Sequence, residues 1–142
     1  MSWRVGKQEV VAVEITGGKI SEVATQTGLS IRTLRYYDEL GLVIPSGRTS
    51  GGFRLYSPAD VHRLLLIDRM KPLGFTLEEI REFLEAVDAV SAPTAGQDVE
   101  QAEKTLIFFR TQARQRLETL RRQVAGSKEF LAELDALDTS GS

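Results

Sequence analysis

The sequence predicts a mainly α-helical chain: two short helices joined by a tight turn, a small β-hairpin beside them, two further helices, and one very long helix at the end. Three observations carry this. Apolar residues recur at steps of three and four in separate segments along the chain. Serine, threonine and glycine stand where helices of those lengths begin and end. One stretch, "RTSGGFRLY", instead reads as two short strands around a Ser-Gly-Gly turn.

The composition narrows the classes. Of 142 residues, 42% are hydrophobic and 27% charged, which suits a folded chain better than a disordered one. No run approaches the roughly twenty apolar residues of a membrane helix, and the N-terminus lacks the basic, apolar, small-residue order of a secretory signal. With no cysteine, disulfides, thiolate catalysis and thiolate metal sites are excluded. A single histidine, His62, leaves no basis for an imidazole zinc site or a catalytic triad. The net charge of −2 is unevenly spread. From Lys19 to Lys71 there are eight Lys/Arg against five Asp/Glu, so the other segments together carry ten against fifteen. A basic first half points weakly to an anionic partner.

Residues 1–18 stand apart as an N-terminal extension. "VVAVEIT" has a strand-like composition, but Gly17-Gly18 stops it at once. Ser21 is then expected to cap a first short helix, with Val23, Ala24 and Ile20 apolar and Gly28 at its C-terminus. Ser30 caps a second, Ile31 to Leu40, which Gly41 ends. Two helices with a glycine-containing turn between them make a helix-turn-helix pattern.

The second helix of that pair is unusual. Ile31 and Leu34 point one way, with Tyr37 at their margin, while Arg32 and Tyr36 point roughly opposite, flanked by Thr33 and Arg35. That outward face is either solvated surface or a fit to a negatively charged partner. The hairpin follows at once, with Arg48 and Arg54 near its tip, forming a wing beside the helix pair. Ser57-Pro58-Ala59-Asp60 supplies an N-cap, a proline at the first helical position and an acid at the third. The third helix runs through Val61, Leu64, Leu65 and Ile67 to about Lys71. Pro72 cannot donate to the Asp68 carbonyl, so an end or kink is expected there. Thr76 and Glu79 form a capping box for a fourth helix with the stripe Leu77, Ile80, Phe83, Leu84 and Val87.

Residues 19–90 thus read as one domain and residues 91–97, "SAPTAGQ", as a linker. A final helix spans 98–137, and a tail covers 138–142. In the final helix Val99, Ala102, Leu106, Phe109, Ala113, Leu117, Leu120, Val124, Leu131 and Leu134 recur at steps of three and four, with one seven-residue gap. This is a coiled-coil-like seam with a stutter around Ala113, Leu117 and Leu120. A helix folded back on its own domain is the simpler alternative. A partner helix is preferred here, because no covering element is evident in the chain. Gly126 weakens the helix by roughly 1 kcal/mol relative to alanine and marks a bend or an end.

Ile20 to Glu85, through "RTLRYYDELGL", "GGFRLYS" and "LGFTLEEI", closely resembles the DNA-binding domain of the MerR family of bacterial transcription regulators. The resemblance covers nearly half the chain, in the family's order and spacing. It implies a winged helix-turn-helix domain followed by a dimerisation helix that pairs in an antiparallel coiled coil. By the same resemblance Arg32 would reach bases or adjacent phosphates in the major groove, Thr33 and Arg35 would support it, and Tyr36 would hydrogen-bond a phosphate. The wing, through Arg48, Phe53, Arg54 and Tyr56, would lie along the neighbouring backbone or minor groove. Tyr37 would pack in the core. Leu106, Phe109, Ala113, Leu117, Leu120 and Val124 would form the dimer seam.

The function so implied is a homodimeric regulator in the bacterial cytoplasm. It would bind double-stranded promoter DNA near RNA polymerase and bend and untwist the spacer between promoter elements. No cofactor is expected. Metal- and redox-sensing branches use cysteines at the end of the long helix, and about forty-five residues after the linker leave no large ligand domain. A small organic effector where Phe108, Phe109 or Phe130 meets the partner, a protein partner, or no effector all remain open. A coiled-coil protein-interaction module is the alternative function. An enzyme is rejected, since no catalytic constellation is visible.

Overall fold

A computed structural model describes residues 14–140. Along the chain it contains α1 (Ile20–Thr27), α2 (Ile31–Glu39), β1 (Gly47–Arg48), β2 (Arg54–Leu55), α3 (Pro58–Met70), a 3-10 turn (Lys71–Leu73), α4 (Leu77–Ser91) and α5 (Val99–Ser140). The fold is mainly helical with one antiparallel hairpin, in which Gly47 faces Leu55 and Arg48 faces Arg54. Among the described residues no helix is long and apolar enough to cross a membrane.

Most of the element ends follow from local chemistry. The Ser30 hydroxyl accepts the Thr33 amide at 3.1 Å and opens α2. Ser57 and Asp60 reciprocate at the start of α3, at 3.0 and 2.8 Å. Thr76 and Glu79 do the same for α4, at 3.1 and 3.0 Å. Helix α1 corrects one expectation. Its N-cap is Lys19 rather than Ser21, and the Glu22 carboxylate accepts the Lys19 amide at 3.0 Å. Gly28 ends that helix with φ 75°, a left-handed conformation that costs glycine nothing. At Pro72 the helix ends: α3 stops at Met70, the chain tightens into the 3-10 turn, and Gly74 reverses it with φ 82°.

Residues 1–13 lie outside the described residues, so the strand-like "VVAV" is not placed. Residues 16–18 are docked. Thr16 and Gly17 amides both donate to Gln26 Oε1 at 3.1 Å. Gly18 exchanges both backbone hydrogen bonds with Tyr56, at 2.9 and 2.8 Å.

The core lies where α1 to α4 converge. Val23, Leu34, Leu64, Ile67 and Ile80 have no accessible surface, and Tyr37 keeps 1%. Asp60 is buried within this framework at 8% exposure. Its carboxylate also accepts the Ser46 amide and hydroxyl, at 3.1 and 2.7 Å, which ties the entry of the wing to the start of α3. Charge-assisted bonds of this kind satisfy a carboxylate that would otherwise be costly to bury.

Helix α5 divides in two. Its first half packs on α4. Ala86, Ala89 and Ala102 form a small contact layer there, with Val90 and Leu106 against it. Phe109 is only 4% exposed and stacks near Phe75 and Phe83, with ring centres 5.6 and 5.4 Å apart. Arg116 anchors the end of this half. Its guanidinium donates to the Leu73 carbonyl at 3.2 Å, lies 3.6 Å from the Glu79 carboxylate, and covers the Phe75 ring at 4.1 Å. The Thr76 backbone amide, first among the causes, holds the Glu79 carboxyl below its ordinary value. Residues 121 to 138 are all exposed. The preference for a partner helix along the whole seam is therefore corrected for its first half: Leu106, Phe109 and Ala113 pack on their own domain. Gly126 does not end α5, which continues to Ser140.

Candidate nucleic-acid interface

Two elements converge on one face of the domain. Helix α2 turns Leu34 and Tyr37 inward, at 0% and 1% exposure, and this fixes the orientation of everything else on the helix. Arg32, Arg35 and Tyr36 are exposed, and with Thr33 and Glu39 they border one shallow depression. Thr33 is half-buried, its hydroxyl 2.9 Å from that of Ser30, so part of its polar capacity goes to the helix cap. The Tyr36 ring lies 6.1 Å from Tyr37 and leaves 46% of the residue open.

The wing stands alongside. An open cleft of about 540 Å³ lies between α1, α2 and the hairpin, bordered by Lys19, Arg35, Asp38, Phe53 and Arg54 among others. Arg35, Phe53 and Arg54 are thereby brought together from two elements. Arg48 lies on the other strand, opposite Arg54 in the register. Two arginines facing each other across strands repel. Here Asp38 of α2 relieves this by pairing with Arg54. The pairing also tethers the wing to α2, while an exposed Phe53 ring receives the Lys19 ammonium at 5.3 Å. What remains outward is Arg32, Arg35, Arg48 and Tyr36, a set able to donate to an anion.

Tyr56 does not belong to this outward set. It is 3% exposed and its ring joins the core, because its backbone is held on Gly18 and it immediately precedes the Ser57 cap of α3. Burial pushes its phenol above the ordinary tyrosine value, with Asp38 adding to the shift and Arg54 opposing it. Lys19 and Asp38 went unread in the sequence as parts of this face. Each acts through a contact with the wing that only the folded chain creates.

Two family models match the chain: "MerR HTH family regulatory protein" over residues 19–87 and "MerR, DNA binding" over residues 61–137. The chain belongs to the MerR family. This MerR-family chain is 47% identical over 70 residues to the mercuric resistance operon regulatory protein of Bacillus cereus, a match covering 49% of the chain and 53% of that protein. It is 46% identical over 68 residues to the HTH-type transcriptional regulator YfmP of Bacillus subtilis strain 168, covering 47% and 49%. The chain spans about half the length of these relatives. Among solved structures, a MerR-family transcriptional regulator from Bacillus cereus aligns with TM-score 0.53 at 31% identity, covering 84% of this chain and 78% of that one. HiNmlR, a MerR-family regulator lacking the sensor domain and bound to promoter DNA, aligns with TM-score 0.62 at 27% identity, covering 82% and 80%. These relatives and neighbours are transcription regulators, not enzymes.

Proposed function

We propose that this MerR-family chain is a sequence-specific transcription regulator that binds double-stranded promoter DNA as a homodimer. One observation carries the reading: Arg32, Arg35 and Tyr36 are exposed on a helix whose opposite face is closed by Leu34 and Tyr37. Arginine forks onto guanine edges in the major groove, and a phenol hydroxyl contacts phosphate without reading sequence. Arg32 is assigned base contact, Arg35 and Thr33 its support, and Tyr36 the backbone. Arg48 and Phe53 of the wing meet the flanking backbone, and Arg54 joins them as one half of its pair with Asp38. A fold neighbour bound to promoter DNA supports DNA as the partner.

The dimer places two such helices on one duplex, and α5 from Leu117 onward is its seam. The regulator bends and untwists the spacer between promoter elements for RNA polymerase, so specificity extends to deformable base steps it does not touch. It works in the bacterial cytoplasm, where both partners are found. Phe108 and Phe130, at 56% and 61% exposure, are the aromatic positions open to a small effector; Phe109 is spent on the core.

Fluorescence anisotropy with duplexes from the chain's own upstream region tests the proposal. Saturable binding is expected, weakening steeply and log-linearly with added salt. Indifference to every duplex at roughly 50 mM salt, where phosphate contacts are strongest, would end it.

A further inference from the structure

Helix α2 is held from behind as well as from the wing. Its last turn carries Asp38 and Glu39 and no basic residue. Acids at that end oppose the helix dipole, whose negative pole lies there. As the chain reverses, the Tyr37 and Asp38 carbonyls accept the Leu42 and Gly41 amides, at 2.9 and 3.0 Å. The Leu40 carbonyl is met by a side chain from α4. Arg81 Nη2 donates to it at 2.5 Å, across forty-one residues of sequence. The guanidinium supplies the cation that this helix end lacks, through a charge-assisted bond of the stronger kind. Lys71 of the 3-10 turn adds a second cation, its ammonium 5.4 Å from the centre of the Tyr37 ring.

Both grips come from a segment that is itself fixed. Two residues after Lys71, the Leu73 carbonyl accepts Arg116 of α5 at 3.2 Å. Two residues before Arg81, the Glu79 carboxylate lies 3.6 Å from the same guanidinium. Side chains two apart on a helix point about 160° away from each other, so α4 reaches α2 and α5 at one level. Ile80, between them, is fully buried. Arg81 therefore acts on α2 from a rigid base, and it borders neither depression on the DNA-facing side.

We propose that Arg81 is a positioning residue for base reading, acting on DNA through Arg32. It sets the depth and tilt of α2 from the C-terminal end of the helix. The proposal deepens the DNA-binding reading above and rests on it. Arg32 lies eight residues from Leu40, about 12 Å along the axis. A tilt of about 10° at Leu40 would carry the Arg32 backbone about 2 Å. A forked contact to a base edge needs placement within about 0.5 Å, whereas a phosphate contact carries no sequence information to lose. Loss of Arg81 should therefore fall on discrimination and spare the electrostatic part of binding.

The intact chain and its variants are titrated by fluorescence anisotropy at several salt concentrations. The probes are the best-bound upstream duplex, duplexes with one base pair altered per half-site, and a random-sequence duplex. Arg81→Met is expected to weaken the best duplex about tenfold and leave the random duplex and the salt slope unchanged. Arg81→Lys, which keeps a charged donor, should recover most of the loss. In an Arg32→Ala background Arg81→Met should cost less than twofold, because the residue through which it acts is already gone. If circular dichroism shows Arg81→Met unfolded, Arg81→Gln carries the same comparison.

Three results would overturn the proposal. Equal weakening of all duplexes, with a salt slope lower by about one, would mean that Arg81 itself meets a phosphate. A lowered thermal midpoint with unchanged DNA discrimination would make the Leu40 bond purely structural. Full additivity with Arg32→Ala would detach Arg81 from base reading. A wild-type chain that discriminates no duplex would instead remove the sequence-reading function, and the role of Arg81 with it.

Discussion

The two halves of α5 both carry an apolar stripe at steps of three and four, broken by one seven-residue gap in the second, yet one is finished within the chain and the other is not. From Val99 to Arg116 the apolar stripe meets α4, the 3-10 turn and Phe75, and Phe109 keeps 4% of its surface. From Leu117 onward the stripe meets nothing among the described residues, and Leu131 keeps 57%. A heptad-like pattern therefore reports that a helix face needs cover. It does not report whether the cover lies in the same chain. The deciding signal is in the neighbour: Ala86 and Ala89 give α4 a small-residue surface on which α5 can approach closely.

The largest test of that contrast is Phe109→Ala. It should cost about 3–5 kcal/mol of stability, because the aromatic packing with Phe75 and Phe83 is lost and a cavity remains. Denaturant titration of the protein would read this, with the midpoint shifting and the slope retained. Leu120→Lys combined with Val124→Lys probes the other half. Sedimentation should find a monomer whose helical circular dichroism at the domain is retained. DNA affinity should fall by about a hundredfold, close to 2.7 kcal/mol, since two half-sites no longer act together. If Leu106→Lys instead gave a folded monomer and Leu120→Lys an unstable dimer, the division of α5 would be the wrong way round.

Smaller effects sharpen the DNA face. Arg32→Ala should lower affinity by about 1–3 kcal/mol and relax preference at one base step in each half-site. Tyr36→Phe should weaken every sequence about equally, by roughly 0.5–1.5 kcal/mol, because a phosphate contact does not read bases. A change of base preference in Tyr36→Phe would reverse the two roles. The smallest effect concerns pH. The Glu79 carboxyl is lowered from 4.5 by the Thr76 amide, so its contribution is present above 4.5 and fades as pH falls through the folded value. Thermal midpoints of the wild-type chain and Glu79→Gln should therefore converge on acidification.

Much of the fold was legible because it is local. The caps at Ser30, Ser57 and Thr76 use partners three residues away, and Pro72 ends α3 by lacking a donor. The outward face of α2 was read from Ile31 and Leu34 with Tyr37 at their margin; in the fold Leu34 and Tyr37 close the inner face and Ile31 is 38% exposed. Contacts between distant segments were not legible. Asp60 was read as a first-turn acid, but its second task is to hold Ser46, fourteen residues back. Arg54 was read as a wing contact to DNA, yet Asp38 also meets it across sixteen residues. Tyr56 was assigned to the DNA-facing wing by the family resemblance, and the backbone bridge to Gly18 that fixes its place lies before the domain boundary drawn from the sequence. Phe109 was placed in the seam by spacing, which carries no information about the two rings waiting on the other side of the linker.

The Arg116 anchorage has a mechanical consequence. Beyond it α5 runs on to Ser140, twenty-four residues or about 36 Å further along the helix axis. A tilt of only about 5° at that fulcrum displaces the far end of the helix by roughly 3 Å, the size of one backbone step. Whatever loosens or tightens the grip of one guanidinium on the Leu73 carbonyl, Glu79 and Phe75 is thus magnified at the opposite end of the lever.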